Sequence, residues 1–193
     1  MLPNASDNHN ADRALWRAFR NGDREAFTAI YERHVYALVG YGEKIIPQRE
    51  VVEDAIHDLF VDLWRRRHAL GDTNTVRLYL FKGLKRKLLR TIDNRRRSLR
   101  LIGREADTEF QLEFSHEFYL IAHQVSQERR EQLAQQLAAL PRREKEALYL
   151  RFYGGMEYSE MAELMQVSMK TAYNSVHNAI VRLRKSFARK AQR

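Results

Sequence analysis

The stretch LPRREKEALYLRFYGGMEYSEMAELMQVSMKTAYNSVHNAIVRLRK, residues 140–185, decides the fold. After Leu140-Pro141 the apolar spacing predicts a helix to about Tyr153, and Gly154-Gly155 breaks it. A short helix follows over Glu157–Met165, then the turn Gln166-Val167-Ser168, then a long helix from Met169 onward. Two helices joined by so tight a turn, the second much longer, form a helix-turn-helix pattern. Projected at 3.6 residues per turn, the long helix sorts its side chains by chemistry. Met169, Ala172, Val176, Ile180, Leu183 and Phe187 share a face that must pack inward. Lys170, Thr171, Asn174, Asn178, Val181 and Lys185 fall opposite. That outer face is short, polar and basic at its N-terminal end, as reading base edges in a major groove requires. Ser168 stands where it can cap the helix, and the helix N-terminus itself favours a phosphate.

Composition agrees with an anionic partner. The chain has 193 residues, room for two small domains with modest cores, and a formal charge of +9. With pI near 9.9, nucleic acid is a better partner than membrane. No apolar run reaches the length of a membrane span, so no membrane insertion is expected, and residues 1–10 lack a signal-peptide core. Cysteine is absent, which excludes disulfides and thiolate metal sites. These features suit a cytoplasmic protein. Glycine and proline are few and the apolar residues recur at helical spacing throughout, so the fold class is all-α.

The N-terminal half reads as four helices. Asp12–Arg20 carries the stripe Leu15, Trp16 and Phe19, and Asn21-Gly22-Asp23 ends it. A second helix to about Ile46 carries Phe27, Ile30, Tyr31, Leu38 and Tyr41 as core, and Pro47 stops it. The third, Gln48 to about Arg67, turns Val52, Ile56, Leu59, Phe60 and Leu63 inward. On its outer face Glu50, Asp54, Asp58 and Asp62 stand four apart, with Glu53 beside them. Like charges at that spacing each cost roughly 0.2–0.5 kcal/mol of helix stability. The ridge is either a solvated face or a docking surface for a basic partner.

His68–Thr75 is a polar loop, and the fourth helix, about Thr75–Arg97, buries Leu78, Phe81, Leu84, Leu88 and Ile92. Opposite them Tyr79, Lys82, Arg86, Arg90 and Arg97 make a basic ridge headed by an aromatic. The ridge is either a solvated cationic face or, as a chain this basic favours, a single-strand site, with cations for phosphates and a ring for a base. Residues 98–125 lose periodicity and read as a linker, with local helix around Phe114–Val125. His116 and His123 there lack the further partners of a metal site. From Ser126 a polar helix with Leu133, Leu137 and Leu140 leads into the C-terminal domain.

The order of these blocks resembles a known family. The acidic helix Glu53-Asp54-Ala55-Ile56-His57-Asp58-Leu59-Phe60-Val61-Asp62-Leu63-Trp64, followed by Leu78-Tyr79-Leu80-Phe81-Lys82 and a basic helix, resembles region two of bacterial sigma factors. Leu140-Pro141 through Arg184 resembles their region four, and the pair resembles the minimal, extracytoplasmic-function kind. The resemblance implies a region-two domain over 1–97, a linker over 98–125 and a region-four domain over 126–193. It implies a polymerase-binding set of Asp54, Asp58, Phe60, Asp62 and Trp64, meeting the β′ clamp helices of core RNA polymerase, with the β flap as a further contact. It also implies that the loop His68–Thr75 captures a flipped base of the minus-ten element. Tyr79, Lys82, Arg86 and Arg90 would hold the melted strand, and Ser168, Lys170, Thr171, Asn174 and Asn178 would read the minus-thirty-five element of promoter DNA. An anti-sigma factor is a possible further partner. No cofactor, metal or enzymatic activity is implied.

The chain departs from the family pattern at several positions. His57 replaces a common Gln, which weakens one clamp contact, while Arg86 replaces a common Asn and Arg90 a frequent acid, which makes the strand-facing ridge more cationic. Gln166 replaces the usual turn glycine, and Glu157 the usual Ser or Thr cap. Two rival readings exist. An autonomous helix-turn-helix transcriptional regulator leaves the acidic helix unexplained. A metal-dependent nuclease using Asp54, Asp58 and Asp62 would draw its ligands from one helix and lacks an evident nucleophile.

Overall fold

The computed structural model describes residues 5–73, 75–101 and 127–190. The chain divides into two units, Met1–Thr108 and Glu109–Arg193. Among the described residues all regular structure is helical. The first unit contains α1 (Ala5–Arg20), α2 (Arg24–Ile45), α3 (Arg49–Arg66) and α4 (Val76–Leu101), with a 3₁₀ turn over Arg67–Ala69. The second contains α5 (Gln127–Ala138), α6 (Arg142–Phe152), α7 (Tyr158–Met165) and α8 (Met169–Lys190).

Two helices overrun the bounds the sequence suggests. α1 starts at Ala5 rather than Asp12, and α4 continues to Leu101 rather than Arg97. In both places the added residues contain no glycine or proline, so nothing stops the hydrogen-bond ladder. The stretch Phe114–Val125, with His116 and His123, lies outside the described residues, as does Asn74.

The first unit is held by the apolar faces of its four helices. Trp16 and Phe19 of α1, Ile30, Leu38 and Tyr41 of α2, and Phe81, Leu84 and Leu88 of α4 are all fully buried. Each such side chain contributes roughly 1.5–3 kcal/mol by leaving water. All five residues expected on the inner face of α3 are buried. Tyr31, expected in the core, instead leaves 41% of its surface exposed, because its ring packs edge-on at the rim against Phe60.

Helix α3 lies against both α2 and α4, and glycine makes room on each side. A Cβ at Gly42 would collide with the branched, stiff side chain of Val52. A Cβ at Gly83 would come within 2.6 Å of Leu59 Cδ1. Arg95 of α4 also donates a hydrogen bond of 3.2 Å to Gln48 Oε1 at the head of α3.

One charged cluster sits inside this unit. Asp12 is 2% exposed; its carboxylate accepts from Arg33 Nη1 at 2.8 Å and lies 3.1 Å from His34 Nε2. Burial raises the Asp12 pKa, but the hydrogen bonds and charges of His34 and Arg33 outweigh it and hold the carboxyl below its ordinary range.

In the second unit α8 packs on α6 and α7. Its innermost residues are small: Ala172, Ser175, Val176 and Ala179 are buried, so the helix backbones approach closely. Ile180, Leu183 and Phe187 are half-buried. Met169, expected inside, is 61% exposed because it opens the helix, ahead of the turns that touch α6 and α7. Arg182 Nε reaches back to Glu144 Oε1 of α6 at 3.2 Å.

Asp12→Ala should cost the first unit about 1–3 kcal/mol by leaving buried polar groups without their acceptor. A carboxyl depressed on folding stabilises above its unfolded pKa, near 3.8, and loses that contribution as pH falls through the lower folded value. Urea unfolding followed by fluorescence of Trp16 and Trp64, both in this unit, should therefore show parent and variant converging in stability below pH 4.

Candidate nucleic-acid interface and docking face

Packing α3 by its apolar face leaves its carboxylates outside. Glu50, Glu53, Asp54 and Asp58 are exposed. Glu53 is held by Arg49 Nε at 2.7 Å within the same helix. Asp62, the last of the ridge, points across to α4, where Lys87 Nζ donates to its Oδ2 at 2.7 Å. That hydrogen bond is the main reason the Asp62 carboxyl sits below its usual range. The carboxylates therefore do not converge as metal ligands; among the described residues no group of three or more His, Asp or Glu could hold an ion.

The aromatic members of the expected polymerase-binding set sit deeper. Phe60 is buried, its ring 5.8 Å from Phe27 and 5.0 Å from Tyr31. Trp64 is half-buried, with its ring 5.1 Å from Phe27 and the Arg67 guanidinium 4.5 Å above it. Both rings anchor the acidic helix against α2.

On α4 the expected basic ridge is present in part. Arg86, Arg90 and Arg97 are exposed and Lys82 is half-buried. Tyr79 shows 39% of its surface, and its other side rests on Trp16, with ring centroids 5.2 Å apart. The loop before α4 is fastened from α1. Trp16 Nε1 donates to Gly71 O at 3.1 Å, and Arg17 grips Asp72 Oδ2 through Nε at 3.2 Å and Nη2 at 3.1 Å. The Arg17 hydrogen bond lowers the Asp72 pKa. Sequence reading missed Trp16 and Arg17 as loop anchors, since each lies 55 residues from its partner.

The helix-turn-helix is built by capping. Glu157, though not a Ser or Thr, opens α7 because its backbone N–H donates to Glu160 Oε2 at 2.8 Å. Gln166 closes α7 in the left-handed conformation, φ 56 and ψ 48, and Val167 N–H returns to Ala162 O at 2.9 Å. Ser168 Oγ accepts from Thr171 N–H at 3.1 Å and lies 2.8 Å from Thr171 Oγ1. Both hydroxyls thus serve the cap of α8. Lys170, Asn174 and Asn178 are exposed on the outer face, and Tyr173 and His177 share it. The sequence reading passed over these two, although each falls a turn from Lys170 or Asn174 on the same side.

Comparison with known proteins places this geometry. A family model, "Sigma-70, region 4", matches residues 130–183, the span that contains α6 and α7 and most of α8. "ECF RNA polymerase sigma factor SigK" of Mycobacterium ulcerans (strain Agy99) is 21% identical over 188 residues, covering 94% of this chain and 95% of that protein. Residues 130–183 thus match the sigma-70 region 4 family. The likeness to SigK covers nearly the whole length of both chains. Two solved structures share the fold of this chain. CnrH, solved with the cytosolic domain of CnrY, has a TM-score of 0.60 at 21% identity, over 92% of this chain and 97% of that one. The sigma factor RpoE from Bartonella quintana, solved with the anti-sigma factor NepR, has a TM-score of 0.60 at 16% identity, over 84% and 96% of the two chains. Among its described residues the chain has no helix long and apolar enough to cross a membrane.

Because Gln166 adopts a backbone conformation that costs an ordinary residue roughly 1 kcal/mol, Gln166→Gly should stabilise the second unit by up to about that amount. Slower native-state hydrogen exchange in α7 and α8 is the expected readout. Unchanged or faster exchange refutes this account of the turn.

Proposed function

We propose that this protein is a sigma factor that binds core RNA polymerase, directs it to specific promoters and helps to melt the DNA for initiation. It works in the cytoplasm, by binding rather than by catalysis. One observation carries the reading: a +9 chain presents an exposed carboxylate ridge in one unit and a sigma-70 region 4 helix-turn-helix in the other. An autonomous regulator has use for the second alone. Here residues 1–97 serve as region two, 98–125 as linker and 126–193 as region four.

Asp54 and Asp58 make the charged contact to the β′ clamp helices, with Asp62 at the edge of that face. Phe60 and Trp64 keep its shape. The β flap carries region four. Tyr79, Lys82, Arg86 and Arg90 receive the unpaired strand. Melting needs no covalent chemistry. A surface that binds an extruded base and a single strand shifts the duplex towards its open form, against an unstacking cost of a few kcal/mol. On α8, Lys170, Asn174 and Asn178 face the upstream element, while Ser168 and Thr171 present the capped helix N-terminus to a phosphate. SigK, by its name, is a sigma factor of RNA polymerase, and RpoE was solved with an anti-sigma factor. An anti-sigma factor is accordingly a fitting regulator of this chain.

The decisive experiment is transcription with reconstituted polymerase: the protein should direct core enzyme to a defined start while binding promoter duplex weakly by itself. Tight sequence-specific binding without polymerase would favour the regulator. Asp58→Arg should abolish core binding while circular dichroism stays unchanged; retained binding refutes the docking assignment. Lys170→Ala and Asn174→Ala should each alter base preference in the upstream element, with mismatch costs of roughly 1–3 kcal/mol. Identical scanning profiles for parent and variants refute the role of α8.

A further inference from the structure

Tyr173 stands at the middle of the exposed face of α8, 52% exposed, one turn beyond Lys170 and beside Asn174. A large ring so placed is unusual on a face otherwise made of short polar and basic groups. It is also braced. Tyr158, at the start of α7, meets it edge-on with centroids 5.3 Å apart, and His177, the next turn of α8, lies nearly parallel to it at 6.3 Å and 11°. Tyr158 is in turn held by the Arg151 guanidinium, which lies over its ring 5.0 Å from the centroid. Arg151 is pinned by Met156 O at 2.8 Å and by the Glu157 carboxylate at 3.4 Å. Two helices and the loop between α6 and α7 thus restrict one exposed phenol ring. None of these contacts buries it.

A ring carried in a fixed orientation on a groove-facing helix has one favourable neighbour on base edges. Of the four bases only thymine offers an apolar group in the major groove, its C5 methyl. We propose that Tyr173, positioned by Tyr158, reads a thymine methyl in the upstream element and sets a sequence preference the polar residues of α8 do not. The inference rests on the reading of α8 as the helix that meets that duplex. Tyr158 and Arg151 are positioning residues, since they act through the Tyr173 ring.

The test exchanges the methyl alone. The full chain, assembled with core polymerase, selects its preferred upstream element from randomised duplexes. Each thymine of that element is then replaced by deoxyuridine. The parent should lose about fourfold in affinity at one thymine, the worth of one methyl group removed from water. Tyr173→Ala should abolish that sensitivity, Tyr173→Phe should keep it, and Tyr158→Ala should reduce it. If Tyr173→Ala remains as sensitive as the parent, or if the parent tolerates every replacement, the tyrosine assignment is overturned. An element that Lys170→Ala still alters would then leave the role of α8 standing. Failure to enrich any element would overturn both.

Discussion

Helix α3 fits between its neighbours only because glycine occupies positions 42 and 83. With those two contacts closed, Val52 and Leu59 are driven into the core and the rotation of the helix is set. The carboxylates of Glu50, Asp54 and Asp58 then have nowhere to go but outward. Side chains four apart on a helix share one face, so the packing of one side orients the chemistry of the other. The two glycines differ in strictness. Leu59 meets Gly83 with the end of a flexible chain, whereas Val52 meets Gly42 with a branch that has little rotamer freedom.

Faces were legible in the sequence wherever helical periodicity was strong. The inner residues of α3 and α4 fall where the 3.6-residue projection puts them, and so do Ala172 and Val176 of α8. Periodicity cannot see where a helix stops being covered, and Met169 and Tyr31 show that limit. It is equally blind to contacts between distant residues. The pairing of Asp12 with Arg33 and His34, and of Arg17 with Asp72, depends on how helices cross, which no local pattern encodes.

The candidate surfaces were legible as charge but not as depth. Composition marks Asp54, Asp58, Arg86, Arg90 and Lys170 as surface groups, and all are exposed. Phe60 and Trp64 entered the same set by family likeness, and folding turns them into anchors against α2. Tyr173 and His177 escaped notice for the opposite reason. An aromatic among polar residues reads as noise in a hydropathy projection until the structure shows the ring outside.

The fastening of the 70–73 segment to α1 has a bearing on the N-terminal twenty residues. Among its described side chains α1 gives the proposed strand-binding surface Trp16, as a backing for Tyr79. An indole N–H and a guanidinium fork on that helix also decide the course of Gly71–Thr73, which otherwise has only short polar side chains to shape it. The opening helix thus works as a splint. Trimming it would damage the molecule at a place far along the chain from the cut.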